Sequence, residues 1–142
     1  SPDEPYSLIY ATLISALRVD GSTADMVIDS ATDGTVFLTY VEKILAPTLK
    51  PDDIVIMDNL ASHKMATVVA VIQATGAKVR FLPPYSPDLN PLEKMWSKIK
   101  AYLRKVKART KETLWQAIGS ALKTVTASDA LNWFIACGYT QS

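Results

Sequence analysis

The chain has one cysteine and one histidine in 142 residues. A lone thiol, Cys137, excludes an internal disulfide, and with His63 as the single imidazole no Cys/His cluster can hold zinc. Cys137 reads instead as a small apolar packing residue. No apolar run approaches the roughly 20 residues of a membrane span. No basic segment followed by an apolar one opens the chain as a signal region would, so a reducing, cytoplasmic setting is expected. Internal repeats, low-complexity tracts and interdomain linkers are missing as well. What is present is 49% hydrophobic residues, enough to bury one core, and a single domain over 1–142 is expected.

The net charge of +1 conceals an asymmetry. Up to Asp58 there are ten acids and three bases, and from Asn59 onward twelve bases and four acids, about −7 against +8. From Lys94 to Lys111 there is no acid, while Lys94, Lys98, Lys100, Arg104, Lys105, Lys107, Arg109 and Lys111 supply eight of the fifteen basic residues. Such a run is often no more than a solvated helix face. It is also what a phosphodiester backbone needs for neutralisation, and DNA contact is the reading favoured here.

Periodicity gives an alternating α/β pattern. Residues 8–17 are apolar and rich in β-formers, Asp20-Gly21 reads as a turn, and Met26-Val27-Ile28 can return as the paired strand of a hairpin. Val36, Phe37, Tyr40, Val41, Ile44 and Leu45 recur at helical spacing until Pro47. A four-residue apolar run at 54–57, mostly β-branched, reads as a strand buried on both faces. A helix bearing Met65, Val68, Val69, Ile72 and Ala74 ends at Gly76, and a strand follows at 79–82. Leu92, Met95, Trp96, Ile99, Leu103 and Val106 then line one side of a helix whose basic residues mostly occupy the other. Trp96 on that stripe is read as a core anchor. Two more helices, near 111–125 and 128–137, complete the pattern.

Two carboxylates stand out. Asp58 falls where the 54–57 strand ends, and in open α/β sheets the carboxyl ends of strands face the ligand crevice. Asp58-Asn59 could equally begin the following helix as a cap. Pro83-Pro84-Tyr85-Ser86-Pro87-Asp88-Leu89-Asn90-Pro91 packs four prolines into nine residues, an extended, stiff loop before a helix that opens at Pro91. Glu93 lies in the first turn, where an acid also complements the helix dipole.

The segments 58–64, Asp-Asn-Leu-Ala-Ser-His-Lys, and 82–96, Leu-Pro-Pro-Tyr-Ser-Pro-Asp-Leu-Asn-Pro-Leu-Glu-Lys-Met-Trp, resemble the second and third catalytic blocks of DDE transposases of the mariner-like superfamily, bacterial insertion-sequence-630 type. Thirty-four residues, 59–92, separate the two acids, the separation for which that group is known. Leu103-Arg104, Arg109-Thr110, Leu114-Trp115, Trp133-Phe134 and Gly138-Tyr139 fit the family's C-terminal end, so the similarity runs from about residue 8 onward. The resemblance implies a ribonuclease-H-like fold, a mixed sheet flanked by helices. It also implies metal-dependent DNA cleavage and strand transfer by three carboxylates and two Mg²⁺ or Mn²⁺ ions. Asp58 and Glu93 would be catalytic metal ligands, with Asn59 and His63 orienting Asp58 or touching substrate; His63 could also have no role.

One departure from that pattern is expected to matter. The family's first aspartate sits on a strand well ahead of the one beginning near Leu8, and only seven residues precede that point. Asp3-Glu4 has no apolar strand before it and is read as a terminal accident. The first strand, its aspartate and the helix-turn-helix that recognises element ends are all read as missing. The chain is accordingly read as the C-terminal part of a transposase, inactive alone, nucleoid-associated, with transposon ends and target DNA as partners and a homodimer by analogy. A catalytically dead DNA-binding remnant and a folded relic exposing an unpaired edge are the alternatives.

Overall fold

The hairpin expected near the start forms between β1, Thr12–Leu17, and β2, Thr23–Ile28, antiparallel with Thr12 opposite Ile28 and Leu17 opposite Thr23. The computed structural model describes residues 12–29, 32–58 and 64–139. Residues 8–11 of the expected strand, the Asp3-Glu4 pair, Asn59 and His63 lie outside the described residues. The turn closes through Arg18 N donating to Ser22 O at 2.9 Å, and Gly21 takes φ +90. A Cβ at Gly21 would come within 2.8 Å of the Ala127 nitrogen, so only glycine lets the turn approach this closely.

Asp33 starts α1, Gly34–Tyr40, by accepting the Val36 amide at 2.9 Å. The pattern read as one helix up to Pro47 changes winding twice: a π-helical stretch at Val41–Leu45, then a tight 3₁₀ turn at Ala46–Thr48 with Pro47 inside it. Strand β3, Ile54–Met57, follows, then α2, Met65–Ala74, and β4, Lys78–Phe81. β3 and β4 pair in parallel, Ile54 beside Lys78 and Met57 beside Phe81. After a 3₁₀ turn at Pro87–Leu89 come α3, Pro91–Val106, α4, Lys111–Lys123, and α5, Ala127–Ala136.

Two apolar clusters lie among these elements. Tyr40, Val41, Leu45, Met65, Val68, Ile72 and Ala77 form the first, and Ile14, Ala16, Met26, Val55, Met57 and Val79 pack on it. These strand positions are two apart, as one face of a pleated strand requires. Tyr40 ties the layer to the hairpin by donating its hydroxyl to Ala24 O at 2.7 Å. Met95, Ile99, Ala121 and Val125 form the second cluster, joined by Leu17, Trp96 and Trp133. Leu17 alternates with Ala16, so β1 contributes to both clusters. Cys137 is buried, which raises its thiol above the ordinary range and fits the packing role.

The molecule is mixed α/β, as read. The expected single mixed sheet is corrected to two separate two-stranded ladders, β1–β2 and β3–β4, among the described residues. The reason is spatial: a cavity of about 620 Å³ is lined by consecutive residues Ser15 to Arg18 on one side and Ile54 to Asp58 on the other. Successive side chains of a strand point to opposite faces, so a cavity touching every residue in turn lies along the strand edges. Arg18 bridges it by donating to Asp53 Oδ2 at 2.8 Å and to Thr48 O at 2.7 Å. Val106, read as part of the apolar stripe, is exposed; it is the last residue of α3, and left-handed Lys107, φ +53, turns the chain away there.

Candidate active site

Asp58 is positioned by the β3 ladder. Lys78 N donates to Asp53 O at 2.7 Å before the strand and Leu82 N to Met57 O at 2.9 Å at its end, so the next side chain leaves the sheet at its carboxyl end. Asp58 is exposed and lines the cavity between the strand edges.

Glu93 is positioned by a helix start. Asn90 caps α3: its side-chain oxygen accepts the Leu92 amide at 3.0 Å and its backbone oxygen the Glu93 amide at 3.0 Å, while Pro91 holds the first helical position. Glu93 is exposed in that first turn. The loop ahead of it is not simply extended, as its prolines suggested. It contains the Pro87–Leu89 turn, Ser86 Oγ donating to Pro84 O at 3.2 Å, and Tyr85 at φ +57. Tyr139 clamps it from the chain's end, donating its hydroxyl to Leu89 O at 2.8 Å while its ring meets Phe134 edge-on at 5.8 Å.

Asn90, Pro91, Leu92 and Phe134 line the same cavity as Asp58. The end of β3 and the first turn of α3 thus form two walls of one space, and Glu93 is the next residue along the second wall. Two contributors, Asp53 and Arg18, were not read from sequence as part of this region, and Asn90, read as part of the 82–96 block, was not read as a cap. Asn90 was the accessible one, since Asn before Pro with an acid three residues on is a helix-start signature. The Arg18–Asp53 pair joins residues 35 apart, and no local pattern announces it. The Arg18 guanidinium, with the Lys50 amide, holds the Asp53 carboxyl below its usual range.

Basic residues follow the second wall along α3 and the turn after it. Lys94, Lys100, Arg104, Lys105, Lys107 and Arg109 are exposed. Lys98 differs: its ammonium donates to Asp129 Oδ2 and Thr124 O, joining α3 to the α4–α5 corner.

Two exposed carboxylates offer hard oxygen donors, the type that suits Mg²⁺ or Mn²⁺. Donor type fits; donor number is lower than the resemblance implies, because no group of three or more His, Cys, Asp or Glu converges among the described residues. No helix among the described residues is long and apolar enough to cross a membrane.

A family model described as DDE superfamily endonuclease matches residues 10–115, a stretch that includes both Asp58 and Glu93. No curated protein matches the chain. With about three quarters of its length covered, the chain belongs to the DDE superfamily endonuclease family.

Proposed function

We propose that this chain carries the second and third acids, Asp58 and Glu93, of a transposase of the mariner-like, insertion-sequence-630 type, and that it takes part in cutting and joining DNA strands. The observation that supports this reading best is the shared cavity, walled by Asp58 at a strand end and by the first turn of the helix bearing Glu93. When bound, a pair of Mg²⁺ or Mn²⁺ ions would activate the attacking oxygen and stabilise the departing one. The chain's own part is to hold the donors and the substrate. The β3–β4 ladder fixes the Asp58 backbone, and the Asn90 cap fixes that of Glu93. The exposed basic side chains after Glu93, Lys98 aside, neutralise phosphates leading to the site. Handling two DNA ends together would call for two copies of the chain.

The third acid of this scheme would belong to a strand. The slot between the β1 and β3 edges has the form to accept one, and Asp58 lines it, so an acid carried there would meet the proposed ligand. A chain with no acid in that slot is proposed to bind metal and DNA and leave the phosphodiester intact.

Thermal unfolding with Mn²⁺ tests the metal half of this reading. The melting temperature should rise with Mn²⁺, and Asp58→Ala or Glu93→Gln should abolish the rise. No Mn²⁺-dependent shift in the unsubstituted chain would refute two-acid binding. Supercoiled plasmid should stay uncut; nicking that disappears in Glu93→Gln would show instead that the site is complete.

A further inference from the structure

Three non-glycine residues among those described have positive φ: Asp52, Tyr85 and Lys107. Two of them are ordinary. Aspartate tolerates the left-handed region, and Lys107 ends a helix, where that conformation is common. Tyr85 has neither reason, and a bulky residue there carries backbone strain.

Its surroundings do not explain the strain either. The Tyr85 side chain is fully exposed, and no ring contact or hydrogen bond among the described residues holds it. Tyr40 and Tyr139, by contrast, donate their hydroxyls to backbone carbonyls. Yet the loop itself is stiff: Pro84 and Pro87 restrict the backbone on either side, Ser86 Oγ bonds Pro84 O, and Tyr139 holds Leu89. A solvent-exposed ring is thus mounted on a restricted backbone, five residues ahead of Asn90, which caps the helix carrying Glu93 and the basic residues.

We infer that Tyr85 is a base-stacking residue, which packs its ring against an unpaired nucleobase of the DNA held at the Asp58–Glu93 site. The inference rests on the proposed DNA substrate and adds a contact to it. A flat, uncharged π-face on the loop that leads into a helix bearing a row of cations matches what single-stranded nucleic acid offers, unstacked bases strung on phosphates. Strain and rigidity then have a use, because the backbone that carries the ring is already restricted and loses little further freedom on binding. The contact requires an unpaired base, so it operates at frayed or overhanging ends and not along intact duplex.

The test uses two fluorescein-labelled duplexes of equal length, one blunt and one with a single-stranded overhang, followed by anisotropy over a salt series. Tyr85→Asn should weaken overhang binding about thirtyfold, the middle of the range for one stacked base. It should leave blunt binding and the salt slope unchanged. Since Asn tolerates the left-handed region, the same variant should melt higher, by roughly 3 °C. Tyr85→Phe, which keeps ring and strain, should bind as the unsubstituted chain does. Wild-type overhang affinity in Tyr85→Asn, with Lys100→Met and Arg104→Met still weakening binding, would overturn the stacking contact and leave the DNA reading standing. Equal weakening on both duplexes, not restored by Phe, would likewise overturn it. Failure of the unsubstituted chain to bind either DNA would overturn both.

Discussion

Replacing Lys98 by Met should cost stability and leave DNA binding nearly untouched, although Lys98 lies in the middle of the basic run. Its ammonium donates to Asp129 Oδ2 at 2.5 Å and to Thr124 O at 2.8 Å. Thr124 closes α4, and Asp129 sits in the first turn of α5, where it also accepts the Thr126 amide at 3.1 Å. One cation on the middle of α3 therefore joins two helix ends, the close of α4 and the start of α5, and it sits favourably at the negative end of α4. Hydrogen bonds to charged groups are worth ~1.5–3 kcal/mol, but exposed ion pairs only ~0.2–1. The two side chains are 36% and 30% exposed, so solvent screening pulls the value toward the lower range, and about 1 kcal/mol is expected. Met keeps the aliphatic stem, so the difference isolates the charge. Urea unfolding at neutral pH should show this difference with an unchanged m-value. Lys98, with the Thr126 amide, lowers the Asp129 pKa below its ordinary value. A depressed carboxylate contributes stability that is fully present above its unfolded pKa, about 3.9, and lost as pH falls through the folded value. The gap between the two proteins should therefore close below about pH 4. On DNA, each phosphate that a cation neutralises adds about 0.9 to the steepness of the salt dependence; Lys98→Met should change that slope far less than Arg104→Met. A Lys98→Met protein that is as stable as its parent, with a slope shallower by the full amount for one phosphate, would refute the reasoning.

Two further substitutions probe the scaffold. Tyr40→Phe removes the hydroxyl that satisfies Ala24 O at the hairpin, and should lower unfolding free energy by about 1–2 kcal/mol in urea titration; an unchanged midpoint would mean that the carbonyl finds another partner. Gly21→Ala combines φ +90 with a Cβ placed 2.8 Å from the Ala127 nitrogen and Thr126 carbonyl carbon. Backbone atoms cannot swing aside, so a loss of at least about 2 kcal/mol is expected, and a melting temperature within a degree of the parent would refute the close approach.

The legible parts of the fold were those governed by neighbours in sequence. Ile54–Met57 was read to the residue, because a β-branched run between turn residues has few other solutions. The hairpin, α2 and α3 followed from periodicity, and Gly76, at φ +90, ended α2 as read. The sheet arrangement was not legible in the same way. Pairing within β1–β2 is encoded by a short turn, and that of parallel β3–β4 by the crossover through α2, whereas whether β1 and β3 join depends on what lies between their edges, which no residue in either strand specifies. Lys98 shows a related limit: composition records its charge, but the contact with Asp129, 31 residues away, is not written in any local pattern. Val106 kept the helical period without the burial, because period does not say where a helix outruns its partner.

The two acids owe their positions to different local rules, and this explains why a sequence can fix both without encoding the distance between them. Asp58 emerges where backbone pairing stops, one residue past the last β3–β4 bond; Glu93 emerges where a helix begins, three residues past its cap. Neither depends on the other, so each can disappear alone. What relates them is tertiary packing. Leu92, on the turn bearing Glu93, packs on the same apolar cluster as Leu17, and Ala16, next to Leu17, packs on the cluster that also takes Val55 and Met57 of the Asp58 strand. The β1 strand is thus the shared reference between the two walls, and Arg18 at its end grips Asp53 at the start of β3. Removing that ion pair, as in Arg18→Met, should therefore shift Asp58 relative to Glu93 without touching either carboxylate.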